Sequence, residues 1–165
     1  RGMRRTVGGR GDVVTRRGQV MPIVRLPPLS PVDYAADDPA GEAAAFSGIA
    51  WPVSGGSWYV MQGYNGTSHV NRDGLWQYGY ALDIAREDGE TAGVAVTSPV
   101  NGVVRWTDPG SGGVSIDLGN GYAVALFHMN FDGGLEAGRP LRQGEPIGSV
   151  SGPGGMGYAG SPHLQ

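Results

Sequence analysis

Four side chains in this sequence could do chemistry together: His69, Asp83, His128 and His163. Imidazole and carboxylate are good zinc ligands, and neutral imidazole can both give and take a proton near neutral pH. His69 follows the turn-like Gly66-Thr67-Ser68, and Asp83 sits in the apolar run Tyr80-Ala81-Leu82-Asp83-Ile84-Ala85. A carboxylate in a buried strand needs a partner or a metal. By spacing alone the pair fits a metal site, and equally a chance loop histidine beside a strand carboxylate. His128 ends the apolar stretch 122–127. It could be an acid, a base or an oxyanion donor, or simply a satisfied, half-buried histidine. His163 and Gln165 lie two residues apart, so in a strand they face the same side. In a frayed terminus neither would be held.

The elements that must position these groups read as short strands. The chain has 165 residues, 39% of them hydrophobic, with 31 Gly and 12 Pro. That length suits one domain, and so much Gly argues for many turns rather than long helices. Residues 58–62, 80–85, 94–97, 102–106, 114–118, 122–128 and 146–150 are rich in β-branched and aromatic residues between Gly-rich breaks. Gly119-Asn120-Gly121 is a hairpin signal, because Asn and Gly accept positive φ cheaply. The pattern predicts an all-β domain of antiparallel sheets over residues 49–165. Residues 1–48, with Gly8-Gly9-Arg10-Gly11 and Leu26-Pro27-Pro28-Leu29-Ser30-Pro31, read as a mostly disordered tail or linker with a short helical turn near 34–46.

Charge and composition exclude several classes. No cysteine is present, so disulfides and thiolate metal sites are ruled out. Every basic residue is arginine. Residues 1–25 carry seven Arg and one acid, net +6, and the remainder five Arg and fourteen acids, net −9, giving −3 in all. The basic stretch reads as a solvated arm. It lacks interleaved aromatics, so no nucleic-acid partner is expected. No apolar run approaches the ~18–20 residues of a membrane span. Residues 99–104 (PVNGVV) look like the sheet-turn of a biotinyl or lipoyl carrier, but the absence of lysine removes the attachment point.

Taken together, the segments resemble the M23 family of zinc metallopeptidases, the lysostaphin- and LytM-like enzymes that cleave peptidoglycan peptides. The resemblance runs from about Trp51 to Gln165. It is carried by residues 62–69 (QGYNGTSH), 80–85 (YALDIA), 96–104 (VTSPVNGVV), 121–128 (GYAVALFH), 143–148 (QGEPIG) and 161–164 (SPHL), in the family's order. It implies a lysostaphin-like fold of the duplicated-hybrid-motif type and one Zn2+ ion held by His69 and Asp83. His128 and His163 would be catalytic, with His163 taking a proton from water and His128 stabilising the oxyanion. The 152–160 loop, rich in glycine, would line a groove for an extended peptide.

The resemblance fails at one position: the family's third zinc ligand is a histidine where this chain has Gln165. An amide oxygen binds zinc less well than imidazole. The expectation is therefore a zinc endopeptidase, weakened or lost if Gln165 cannot ligate. The alternative is a non-catalytic relative that binds wall peptides or activates a wall hydrolase. The resemblance also implies an extracellular or periplasmic monomer, and a domain cut short before the strand that follows the closing motif in the family.

Overall fold

The computed structural model describes residues 4–6, 12–16, 19–25, 48–70, 76–119 and 121–165. Within them the chain is all-β, built from antiparallel strands in three sheets. One sheet has the order β1-β2-β3-β4-β5, from Arg4–Thr6, Asp12–Arg16, Gln19–Arg25, Ser57–Gln62 and Asp83–Arg86. A second has the order β11-β7-β8-β9, from Pro140–Leu141, Gly102–Asp108, Gly113–Asp117 and Ala123–Leu126. The third is β10-β12-β6, from Met129–Asn130, Pro146–Val150 and Ala95–Thr97. The single helical element described is a 3-10 turn over Trp76–Tyr80. Among the described residues, no helix is long and apolar enough to cross a membrane.

The packing follows from the strand sequences. β8 is flanked on both sides by β7 and β9, and four of its five residues are buried. Its valine and isoleucine, Val114 and Ile116, join Trp58, Ile84, Met129 and Leu164 in one core. The hairpin at 118–122 closes through Leu118 N–H on Tyr122 C=O at 3.0 Å, with Gly119 and Gly121 at φ 78° and 86°. Both values lie in the left-handed region that glycine enters without steric cost.

Three differences from the sequence expectations matter. First, residues 80–82 are not strand. They leave the 3-10 turn through Ala81 N–H on Tyr78 C=O, and β5 starts only at Asp83. Second, strands β1, β2 and β3 fall inside the stretch expected to be a tail. There β3 pairs with β4, placing Ile23 opposite Tyr59 and Val24 opposite Trp58. Residues 19–25 contain three β-branched residues, Val20, Ile23 and Val24, which suit a strand. The helical turn expected near 34–46 lies outside the described residues. Third, β10 and β11 are two residues each, too short to show any periodicity.

The last residues are woven into the domain. Leu164 and Ile84 exchange backbone hydrogen bonds at 2.8 and 3.0 Å, and Phe127 and Gln165 do so at 2.9 and 3.4 Å. Leu164 is 1% exposed and belongs to the core. Because strand side chains alternate, burying Leu164 turns its neighbours His163 and Gln165 to the opposite face. Ile84 does the same for Asp83. The terminal segment thus joins the five-stranded sheet to the end of β9 and gathers the candidate residues on one side.

Candidate metal and acid-base site

His69 hangs from a loop that closes on itself. Gln62, the last residue of β4, donates from Nε2 to Ser68 Oγ at 2.5 Å, which clamps the loop base beside His69. Gly66 N–H bonds Gly63 C=O at 3.2 Å, and Asn65 N–H bonds Gly79 C=O at 2.9 Å. His69 is buried at 2% exposure, and its Nδ1 meets Gly63 C=O at 3.2 Å. A carbonyl oxygen can only accept, so Nδ1 carries the proton and the neutral ring presents a bare Nε2.

That Nε2 lies 3.0 Å from Asp83 Oδ1. The approach lacks hydrogen-bond geometry, and Oδ1 is buried with no hydrogen-bond partner. Two lone-pair atoms therefore converge on one another. Zinc ligands at about 2.0–2.2 Å and tetrahedral angles sit about 3.3 Å apart, close to the distance here. An orphaned carboxylate oxygen facing a bare imidazole nitrogen is the donor arrangement a divalent cation needs. His69 and Asp83 fit such a cation as two ligands. Among the described residues no three His, Cys, Asp or Glu side chains converge on a common point.

His128 and His163 form the neighbouring pair, with ring centroids 4.5 Å apart and planes at 57°. His128 does not end β9, which stops at Leu126. It sits between β9 and β10 with φ 64°, a left-handed conformation that non-glycine residues adopt rarely and mostly where surroundings hold them. The hold is visible: His128 N–H bonds Ser111 C=O at 3.2 Å, and Ser151 N–H bonds His128 C=O at 2.8 Å. On the ring, Nδ1 donates to Gly157 C=O at 2.6 Å. His163 is similarly fixed, with Nδ1 on Ser161 C=O at 2.8 Å. All three histidines thus share one tautomer when neutral, Nδ1 protonated and Nε2 bare.

Burial pushes the His128 imidazole below its ordinary value, and the nearby His163 acts in the same direction. The Gly157 carbonyl, the Asp83 charge and a hydrogen bond with the Gln165 side chain oppose that shift without cancelling it. Gln165, whose backbone pairs with Phe127, therefore lies beside His128. This placement has no signal in the sequence, where Gln165 reads only as a replaced ligand.

The 152–160 loop answers a packing need as well as any groove. A Cβ on Gly157, at φ 60°, would run into the Ser111 carbonyl, and one on Gly155 would strike Ser151 Oγ and the Asn130 amide. These two glycines let the loop lie against the 111–112 turn and bring the Gly157 carbonyl to His128. Beside the pair, the Phe127 ring stands between Tyr78 and Trp106, with centroids 5.8 and 5.9 Å away. Tyr64 and Tyr80 make an edge-to-face contact at 6.3 Å.

No protein-family model and no curated protein sequence matches the chain. Among solved structures, it is similar to Helicobacter pylori Csd3 from a hexagonal crystal. The two share 21% identity at a TM-score of 0.44, over 93% of this chain and 37% of that one. The chain thus spans little more than a third of that protein's length.

Proposed function

We propose that this domain is a divalent-metal peptidase of the M23 type acting on peptide bonds of bacterial cell-wall peptidoglycan, outside the cytoplasm. The observation that carries the reading is the unpartnered Asp83 Oδ1 facing the bare Nε2 of His69 at 3.0 Å. The sequence segments that resemble M23 enzymes support it. Zn2+ held by His69 and Asp83 would supply Lewis acidity to a water molecule and to the scissile carbonyl.

The chain's own groups would move the proton. His163, with Nδ1 tied to Ser161 C=O, offers Nε2 as the acceptor for the proton of the attacking water. Once protonated, that ring is a donor able to pass the proton to the leaving amine. The oxyanion role expected for His128 meets a condition. With Nδ1 donating to Gly157 C=O, the neutral ring has no second N–H, so it can donate to an oxyanion only after taking a proton. With the ring centroids 4.5 Å apart, a positive His163 opposes protonation of His128.

A second reading has its own observation. Gln165 stands beside His128, and among the described residues no third His, Cys, Asp or Glu joins His69 and Asp83. That favours a relative that binds wall peptides, or acts through another hydrolase, without cleaving. One experiment separates the two: purified protein with and without added zinc is incubated with peptidoglycan, alongside His163→Ala. Zinc-dependent release of new amino termini, lost in the variant, supports the peptidase. Retained binding to peptidoglycan without any cleavage refutes it in favour of the second reading.

A further inference from the structure

We propose that Asn130 is a positioning residue for His128, acting through the 152–160 loop. Asn130 lies on β10, two residues past His128, and its Oδ1 accepts Met156 N–H at 2.8 Å. The Ser151 hydroxyl approaches the same oxygen at 3.4 Å, and Ser151 is 1% exposed. Met156 immediately precedes Gly157, whose carbonyl receives the Nδ1 proton of His128 at 2.6 Å. The path from Asn130 to the ring is therefore one hydrogen bond, one peptide unit and a second hydrogen bond.

Apart from its packing on the 111–112 turn and the His128 ring itself, the loop around Met156 is tied to the domain by the Asn130 contact. Its other backbone hydrogen bonds are Gly155 N–H on Gly152 C=O at 2.9 Å and Tyr158 N–H on Gly155 C=O at 3.4 Å, both internal to the loop. Neither ties it to the domain. The glycines that allow its close approach to Ser111 and Asn130 also give it the freedom to move when the tie is lost. Asn130 supplies a directional contact from a strand that pairs with β12, where Asn130 stands opposite Ser149. Fixing Gly157 C=O fixes the His128 tautomer, and the tautomer decides that Nε2 is bare in the neutral ring, whose centroid lies 4.5 Å from that of His163. Ligand and catalytic imidazoles elsewhere are oriented by the same kind of second partner.

The role in turnover rests on His128 belonging to the reacting pair, but the structural claim has its own readout. Nitrogen–proton correlation spectra of the histidine side chains in the full chain report which ring nitrogen carries the proton. Above pH 7.5, on the order of one unit past the ordinary imidazole value, the unaltered chain is expected to show Nδ1–H for His128 and His163. Asn130→Leu removes the acceptor at similar volume. It should move His128 toward the other tautomer and speed Met156 amide exchange about five- to tenfold, the worth of one hydrogen bond. Asn130→Asp keeps an acceptor oxygen and should leave both signals in place. His163, held by Ser161, is the internal control. If Asn130→Leu does not fold, Asn130→Ser, too short to reach Met156, is read the same way.

The proposal is overturned if His128 keeps Nδ1–H in the variants without an acceptor. It is equally overturned if His128, His163 and the core amides change together, since that marks a general loss of stability. Where peptide cleavage is measurable, Asn130→Leu should lower kcat about tenfold or more with KM little changed, as expected for a misplaced reacting group. A chain that cleaves nothing counts against the proposed function, while the tautomer spectra still decide the role of Asn130.

Discussion

Replacing Asp83 with Asn should make the metal-free protein more stable, although it removes the group read as a metal ligand. In the native chain Asp83 Oδ1 is buried, unpartnered and 3.0 Å from a bare imidazole nitrogen. The side chain is only 13% exposed, so water relieves little of this. A buried unsatisfied acceptor costs about 1–3 kcal/mol, and more when charged. In Asp83→Asn the amide N–H can donate to His69 Nε2 and satisfy both groups at once. The expected gain is about 1–3 kcal/mol, which for a domain of this size is a Tm rise of roughly 3–10 °C. The assay is thermal unfolding in chelator, repeated with excess zinc. Zinc at a hundredfold over its Kd should stabilise the native chain by about 2.7 kcal/mol and leave the variant almost unmoved. The reasoning is refuted if Asp83→Asn destabilises the chelated protein by about 3–5 kcal/mol. That loss is the signature of a broken buried ion pair, and it would mean that His69 is a charged partner of Asp83 rather than a fellow ligand.

Three further outcomes are expected. Gln165→His supplies a third imidazole and should tighten zinc binding, read by competition with a chromophoric chelator; unchanged affinity would mean that the amide already ligates or that the position does not reach the metal. Because the folded protein holds His128 below its ordinary value, the unfolded chain takes up that proton first, so its contribution is intact above about pH 6.5 and is lost as pH falls through the folded value. Urea midpoints from pH 8 to pH 5 should therefore fall less steeply in His128→Gln, and parallel profiles would rule the effect out. Leu164→Ala empties a core position at 1% exposure and should cost about 2–5 kcal/mol in urea unfolding. A loss below about 1 kcal/mol would show that the terminal segment is not part of the cooperative core.

Much of the fold was legible in the sequence because the deciding signal is local. Period-two alternation marked β8, aromatic and β-branched content between Gly-rich breaks marked β4 and β12, and Gly119 and Gly121 marked the hairpin. The misread start of β5 has a local cause, since residues 80–82 are apolar enough for a strand while Tyr80 closes the 3-10 turn and Ala81 N–H bonds Tyr78 C=O. Strands β10 and β11 owe their existence to their partners, Ser149 and Val150 for the first and Gly102 and Val103 for the second. Strand β3 is likewise defined by what it pairs with.

The sequence by itself determined the chemical inventory: three imidazoles, the carboxylate of Asp83, no thiol, and Gln165 where the M23 resemblance calls for histidine. It also set the condition that His163 and Gln165 share a face if the segment is a strand, and the pairing of Leu164 with Ile84 met that condition. The tertiary structure alone decided what the groups can do. Which nitrogen of each ring is bare depends on the carbonyls of Gly63, Gly157 and Ser161. For His128 that partner is 29 residues away in sequence. Whether Asp83 has a partner depends on how a loop and a strand meet. Hydrogen bonding and desolvation act over a few ångströms regardless of chain distance, so residue types could be read along the chain, but tautomers and pairings came only from the folded protein.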